Sequence, residues 1–545
     1  MKTYYKELAE TCMPQLLSSY DNDPYSPTRG LGDRYFWGWK LKDFNNGLLQ
    51  GGVYPLALFK ELGCFPNDRK ALDIIKNIFH ATAKIQHKNG SVDEAFPYEY
   101  AYSVTSTLAF DMLFALEIIE KDISEPEKKE FLGIIDGLIS FISSAGETHG
   151  FISNHLATAA AAIEKYNQMT GRHLEGGKKI LKMILDHQSG EGWYLEYEGP
   201  DPGYQTLCIY YLAQLHRLTG DEALLESLRK SIEYFSYFMH PDGTIGGEYG
   251  SRNTELFYPG GFEMLAEYIP LAGVISDKMY ESVENDRTVT LKAIDTGNFI
   301  PLIENYLVAF RESTLHELKN DIKLPHEKTD VIKFFPEAGI MTAASGDYYA
   351  IISSAKGGLN KLFDKPECRL IWDDCGYIGE LESGKVISTQ CYNIKPSCRY
   401  ENGTFLIEAD FYESLREIPT PLRFTLLRLL NITVMRNRNI GNLIKNIIVR
   451  TLITRKKKYP VKIQRKFHID DNSIRIEDVL EKPGRIQFKW LEYGRKFSTI
   501  HMASSKYFQE QIFADRIEPK VIDIEKFNKE NCLMIETIIA PGKKV

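Results

Sequence analysis

The sequence predicts a multidomain α+β chain. An N-terminal (α/α) toroid, an incomplete barrel of helical hairpins, is expected over residues 1–325, and a C-terminal antiparallel β-sandwich over 326–545. Three observations predict it: a helical period through most of the first part, one turn type recurring between helices, and a change of period near residue 330.

From about residue 65 to 320 the apolar positions recur at helical spacing. Leu72, Ile75, Phe79 and Ala83 fall on one face, and Glu127–Ser144 and Leu207–Leu218 repeat the pattern. Between helices a Gly follows a polar residue, with an acid or amide a few positions on. The instances are Asn89-Gly90-Ser91 with Glu94, His149-Gly150-Phe151 with Asn154, Glu191-Gly192-Trp193 with Glu196, and Asp242-Gly243-Thr244 with Glu248. Helical hairpins that repeat one turn at one end describe an open solenoid or a closed toroid. The aromatic and acidic content of these turns favours the toroid, whose mouth would hold a sugar chain.

After about residue 330 apolar and polar residues alternate. Ile474-Arg475-Ile476 and Ile486–Trp490 read as half-buried strands, as do Tyr348–Ser353, Arg369–Trp372, Thr404–Ala409 and Leu533–Ile539. Turn residues separate them, as in a sandwich. The boundary is expected near Lys319–Asp330, a polar stretch containing Pro325.

The 545 residues are too many for one ordinary core, and 43% hydrophobic with 26% charged residues is a globular composition. Tyr (31) and Trp (5) crowd the first 260 positions, often beside Gly, which suits sugar stacking as well as core filling. The N-terminus shows no apolar stretch after a basic start, no apolar run reads as long enough to span a bilayer, and the eight Cys form no CxxC pair. These features lead to the expectation of a cytoplasmic protein, peripheral to the inner membrane if it meets a membrane at all.

One segment breaks the β pattern. Pro421–Phe467 reads as an apolar helical insertion with thirteen Lys or Arg and no acid, although the whole chain is −8. A block of that sign attracts polyanions or an anionic lipid surface, and no nucleic-acid motif accompanies it. The plainer reading is a solvated basic face on the sandwich.

Three loops of the helical half concentrate chemistry-bearing residues. Gly150–His155 contains Asn154 and His155 at a helix start, Asp201–Gln205 contains Tyr204, and Gly250–Glu255 contains Arg252, Asn253 and Glu255. Upstream, Arg34, Trp37 and Trp39 lie in a stretch dense in aromatics and charges. With Trp193 and Glu94 they suit sugar subsites by stacking and by charged contacts. The structural alternatives are a helix cap for Asn154, an ion pair for Arg252 with Glu255, and a packed N-terminal arm for residues 34–39.

An Asn-His pair at the start of a toroid helix, with a Tyr in a Gly-Tyr-Gln turn some fifty residues later, resembles the heparinase II/III and alginate-lyase class of polysaccharide lyases. The order of helices and strands is similar too. The resemblance implies β-elimination on a uronate-containing anionic polysaccharide without a cofactor, and the expected cytoplasmic site raises a lipid-linked oligosaccharide as another partner. It assigns Asn154 and His155 to neutralising the substrate carboxylate and Tyr204 to proton transfer. A free Tyr has a pKa of about 10, so the base role requires nearby cations such as His155 or Arg252.

The chain departs from that family at one place. Relatives have a Gly-Gly-Ser-His-type stretch early in the sandwich, whereas this sequence reads Ala355–Lys361, with no His between 327 and 467. The second His and any zinc are thereby put in doubt. A uronate C5-epimerase, a glycoside hydrolase using two carboxylates, and a non-catalytic glycan-binding or polysaccharide-assembly protein at the membrane remain open alternatives.

Overall fold

A computed structural model describes residues 1–148, 150–313, 322–414, 418, 420–448, 456–499 and 518–542. His149 lies outside the described residues, as do 314–321, which contain part of the expected boundary, and 449–455 of the basic segment.

Six helices form an inner ring: Val53–Glu61, Tyr102–Ile119, Ser153–Thr170, Pro202–Thr219, Gly260–Leu265 and Thr296–Glu312. Each packs on the next, and the last packs on the first, so the ring closes where an incomplete barrel was expected. Asp68–Ile85, Glu125–Ser144, Gly176–Asp186, Glu222–Ser236, Pro270–Glu284 and the N-terminal Thr3–Ser18 each back one inner helix from outside. The two rings differ in sequence for a physical reason. An outer helix needs one apolar stripe, and Asp68–Ile85 buries Ala71, Ile75, Ile78, Phe79 and Thr82 while Ala83 stays exposed. An inner helix is covered on nearly all sides. The stretch Tyr102–Asp122 is apolar enough to cross a membrane, which the sequence reading overlooked, but 78% of its most apolar window is buried inside the ring.

The recurring Gly turns all lie where an outer helix returns to an inner one, at the same end of the toroid. Gly90 and Gly192 have positive φ and lie tight against the neighbouring outer helix. A Cβ would stand 1.9 Å from the Gly137 carbonyl oxygen in the first and 2.3 Å from that of Lys230 in the second.

Beyond the toroid, β1 (Val331–Phe335), β2 (Ile340–Ala344), β3 (Tyr348–Ser353), β4 (Leu359–Asp364) and β5 (Arg369–Asp374) form a five-stranded antiparallel meander. The second sheet contains β6 (Ile378–Leu381), β7 (Val386–Ser388), β8 (Ser397–Glu401), β9 (Thr404–Glu413), β10 (Lys458–Asp470), β11 (Ser473–Glu481), β12 (Phe488–Tyr493), β13 (Lys520–Val521) and β14 (Cys532–Ile539). Its order is β13-β12-β6-β7-β9-β10-β11-β14, with β8 on β9.

The first sheet is a middle layer. Along β3, Tyr348, Ala350 and Ile352 pack toward the second sheet, while Tyr349 and Ile351 pack on Trp193, Tyr234 and Phe238 of the toroid. Every residue of β3 is therefore buried, and β2 and β4 follow suit. Trp193, expected to bind sugar, is a core residue of this joint, with its indole N–H bonded to Glu191 at 2.9 Å.

The basic segment needs a second correction. Among the described residues Pro421–Ile432 and Arg438–Ile448 are the α-helices, and from Lys458 the chain is strand β10. One of its cations, Arg465, is wholly buried between the sheets. It bonds Asp374 at 2.7 Å, Asp478 at 2.9 and 3.1 Å, and the Gly358 carbonyl at 2.9 Å. Replacing it with Met leaves two buried carboxylates without their cation, so Arg465→Met is expected to cost about 3–5 kcal/mol in urea denaturation. A loss below about 1 kcal/mol, the ordinary value of a surface pair, would show that the triad is dispensable.

Candidate active site

Three loops meet at the mouth of the toroid, and two buried carboxylates join them. Ile152 and Glu196 form an isolated antiparallel bridge, and Ser153 and Tyr197 extend it by donating to the Leu195 and Phe151 carbonyls at 3.1 and 2.9 Å. The Glu196 side chain then accepts from the Asn154 backbone N–H at 3.1 Å and from its amide at 2.9 and 3.0 Å. Asp201 caps the helix Pro202–Thr219 by accepting the Tyr204 N–H at 3.0 Å. Its other oxygen accepts the backbone N–H groups of Arg252 at 3.0 Å and Thr254 at 3.2 Å, which fixes the third loop.

The Asn154 amide is thus engaged with Glu196, so the carboxylate-binding role expected of it is not supported by its contacts; it positions the loop instead. His155 is differently placed. Its Nδ1 lies 2.7 Å from Glu147, and 27% of its side chain is exposed, enough to be reached from the mouth. A carboxylate only accepts, so in the neutral ring Nδ1 holds the proton and Nε2 the lone pair. The Arg252 guanidinium lies over the rings of Tyr197 at 4.2 Å and Tyr204 at 5.2 Å.

Burial pushes the Tyr204 phenol up to about 12, against the opposing pull of Arg252. The cation expected to make it a base is present but does not outweigh desolvation. Tyr204 is therefore protonated near neutrality and suited to donating a proton. Burial also pushes Glu196 up to about 7 despite Arg252, His155 and the hydrogen bonds from Asn154.

Several residues at the mouth escaped the sequence reading. Asp93 binds the imidazole of His87 at 2.8 Å and the backbone N–H groups of Tyr98 and Tyr100 at 2.8 and 3.0 Å. Tyr98, Tyr100 and Tyr197 all have positive φ, as does Asn253, a conformation costly for a bulky side chain. Such outliers collect where function fixes the backbone. No sequence signal marked Asp93, Glu147 or Tyr197 individually, though each lies within a few residues of the recurring turns. Glu94, which was singled out, lies close enough to contribute to raising the Tyr197 phenol.

Asn253 and Glu255 belong to the joint with the sandwich. Asn253 accepts from Lys356 and donates to Ser498, and Glu255 pairs with Lys496 at 3.3 Å. Both are buried, so the reading of them as sugar-binding residues is replaced by one of domain contact. Arg34, Trp37 and Trp39 sit on the N-terminal arm. Trp37 is anchored through its indole N–H to the Ser19 carbonyl at 2.9 Å, while Arg34 and Trp39 are exposed.

The stretch Ala355–Lys361 enters the same joint with two lysines. Lys356 reaches Asn253, and Lys361 lies 2.7 Å from Glu248 and 3.1 Å from Asp373. Glu248, Asp373 and Cys375 bring potential metal-ligand atoms within 4.8 Å of one another. The Lys361 ammonium stands among them, and Lys496 lies 3.2 Å from Glu248. This set does not fit a zinc ion, because fixed cations already compensate its acids.

No family model matches the sequence, and no curated protein matches it. Comparison with solved structures shows the fold. The Streptomyces coelicolor A3 chondroitin AC lyase, solved with chondroitin sulphate, superposes with a TM-score of 0.52 at 9% identity, over 90% of this chain and 68% of that one. A Paenibacillus xanthan lyase gives 0.51 at 10% identity, over 89% of this chain, which spans 46% of that enzyme. A heparinase III gives 0.49 at 12% identity, over 87% and 70%. The chain shares the toroid-and-sandwich fold of the chondroitin AC lyase and the xanthan lyase.

Glu196 makes stability depend on pH. Its carboxyl sits near 4.5 in an unfolded chain and near 7 here, so the native state prefers the proton. The associated stability is complete below about pH 4.5 and is lost as pH rises through about 7, a difference of roughly 3 kcal/mol. Glu196→Gln keeps the site neutral and is expected to lower the slope of melting temperature against pH between about 5 and 8. Parallel wild-type and variant curves would show that Glu196 does not carry this proton.

Proposed function

We propose that the chain is a polysaccharide lyase acting by β-elimination on a uronate-containing anionic glycan. The observation that carries this reading is the His155–Glu147 pair, which shares Glu196 and Tyr197 as neighbours with the stacked Arg252. A carboxylate-oriented imidazole, a guanidinium and a protonated phenol are the three groups that the reaction needs.

Arg252 would neutralise the substrate carboxylate, because a C5 carbanion beside a free carboxylate would accumulate two negative charges. His155 Nε2 then takes the C5 proton. The electron pair of that C–H bond becomes the C4–C5 double bond, the C4–O bond breaks, and the leaving oxygen receives the Tyr204 proton. Glu147 stabilises the resulting imidazolium, and Asn154 holds the helix start through Glu196. These assignments change the resemblance-based roles: His155 becomes the base and Tyr204 the acid, in keeping with a phenol at about 12. Hydrolysis has less support, since Glu147, Glu196, Asp201 and Glu248 already accept hydrogen bonds or ion pairs from the protein.

The test is the ultraviolet absorbance of the conjugated unsaturated uronate, measured over a panel of uronate polymers. The wild-type chain is expected to produce it, and His155→Ala and Tyr204→Phe are each expected to lower kcat by about 10²- to 10⁴-fold. Reducing ends appearing without this absorbance would replace the reading with hydrolysis. Deuterium uptake from solvent at C5 without chain cleavage would replace it with epimerisation.

A further inference from the structure

Strands β9 and β10 are adjacent and antiparallel, so a short turn would join them. The chain instead leaves the sheet after Glu413 and forms the helical pair Pro421–Ile432 and Arg438–Ile448 before returning at Lys458. One side of this pair rests on the mouth of the toroid. Lys445 donates to the Glu99 carbonyl at 2.5 Å, the Tyr100 hydroxyl donates to the Arg436 carbonyl at 3.0 Å, and Arg428 pairs with Asp43 at 3.2 Å.

The other side is apolar and open. Leu422 is 81% exposed and Leu443 62%, and Phe424, Leu426, Leu429 and Ile447 are each more than half exposed. A helical pair in a globular protein ordinarily turns such residues inward. Here only Asn431, Met435, Gly441 and Lys445 are buried among residues 421–447. The Arg428–Asp43 pair joins this surface to the N-terminal arm, where Trp39 and Leu41 are 65% and 73% exposed.

Charge identifies the partner. The exposed apolar residues are interleaved with Arg34, Lys40 and Arg423, all exposed, and no acid occurs between Pro421 and Phe467. Apolar side chains among cations, with a Trp at the edge, match the interface of an anionic phospholipid bilayer: the cations meet headgroups and the Leu, Phe and Trp side chains enter the acyl boundary. A partner protein would have to match the cations with its own acids and offer an apolar groove as well.

We propose that the pair Pro421–Ile448, together with residues 34–41, docks the protein on an anionic membrane surface. The toroid mouth then lies directly behind the docked face. This inference is independent of the chemistry assigned to His155 and Tyr204.

The experiment is flotation of the full-length chain with phosphatidylcholine vesicles, with and without phosphatidylglycerol, at low and high salt. Binding is expected with phosphatidylglycerol present, to weaken with salt, and to be about tenfold or more weaker for the double variant Phe424→Asp/Leu426→Asp. Both residues are exposed, so the variant is expected to melt at the wild-type temperature, and a circular dichroism melt verifies that. Arg423→Glu tests the electrostatic part without touching an apolar residue and is expected to weaken binding as well. No flotation with anionic vesicles, or flotation that the double variant retains, overturns the proposal. So does self-association of the wild type that the double variant abolishes in the absence of any vesicle binding, since the face would then belong to a second copy of the chain.

Discussion

Two carboxylates with no access to water hold the mouth of this toroid together. Glu196 and Asp201 lie five residues apart in one loop and bind backbone N–H groups from the loops on either side. Without them each loop would end in unsatisfied donors at a helix start, and burying such donors is costly. The same contacts decide which side chains face outward. Because Glu196 takes the Asn154 amide, His155 is the residue left at the helix start to engage Glu147. Because Asp201 takes the Arg252 N–H, the guanidinium is set against Tyr197 and Tyr204. The residues to which the proposal assigns chemistry are thus placed by residues to which it assigns none.

The sandwich contributes to the same end from the opposite side. The middle strands of its first sheet, β2 to β4, are buried on both faces, so the toroid and the second sheet pack on one shared layer. At the joint, Lys356, Lys361 and Lys496 meet Asn253, Glu248, Glu255 and Asp373. A metal site would supply fixed positive charge among these acids. Lysine ammoniums supply it here.

Much of the architecture was legible because periodicity records burial. The outer helices, with one apolar stripe, and the recurring Gly turns gave the toroid, alternation marked Ile474–Ile476 within β11, and the run Tyr348–Ser353 between turns was placed at its observed bounds. Inner helices buried all round show no stripe, and so the closure of the ring was not visible. Composition misled where charge was counted without partners: Arg465 reads as part of a basic surface but is the centre of a buried triad. The site was half legible for a similar reason. His155, Tyr204 and Arg252 stand out as residue types in a motif, whereas Glu147, Asp93 and Tyr197 act through tertiary neighbours or an unusual φ, which single-sequence reasoning does not register. Trp193 was overread because an aromatic beside Gly serves a domain joint as readily as a sugar.

The helical pair and the mouth are coupled through the loop that holds Asp93 and Glu99. Asp93 fixes the backbone of Tyr98 and Tyr100 from within the toroid, and Lys445 and Arg436 engage Glu99 and Tyr100 from outside. Arg436 also lies over the Tyr98 ring at 4.6 Å. Two of these tyrosines are in a costly backbone conformation, and such a conformation persists only where its surroundings impose it from several directions. Any force on the outer face of the helical pair therefore reaches the strained tyrosines through two direct contacts, with no intervening layer. A surface that binds the pair would act on the contacts that hold Tyr98 and Tyr100 in place.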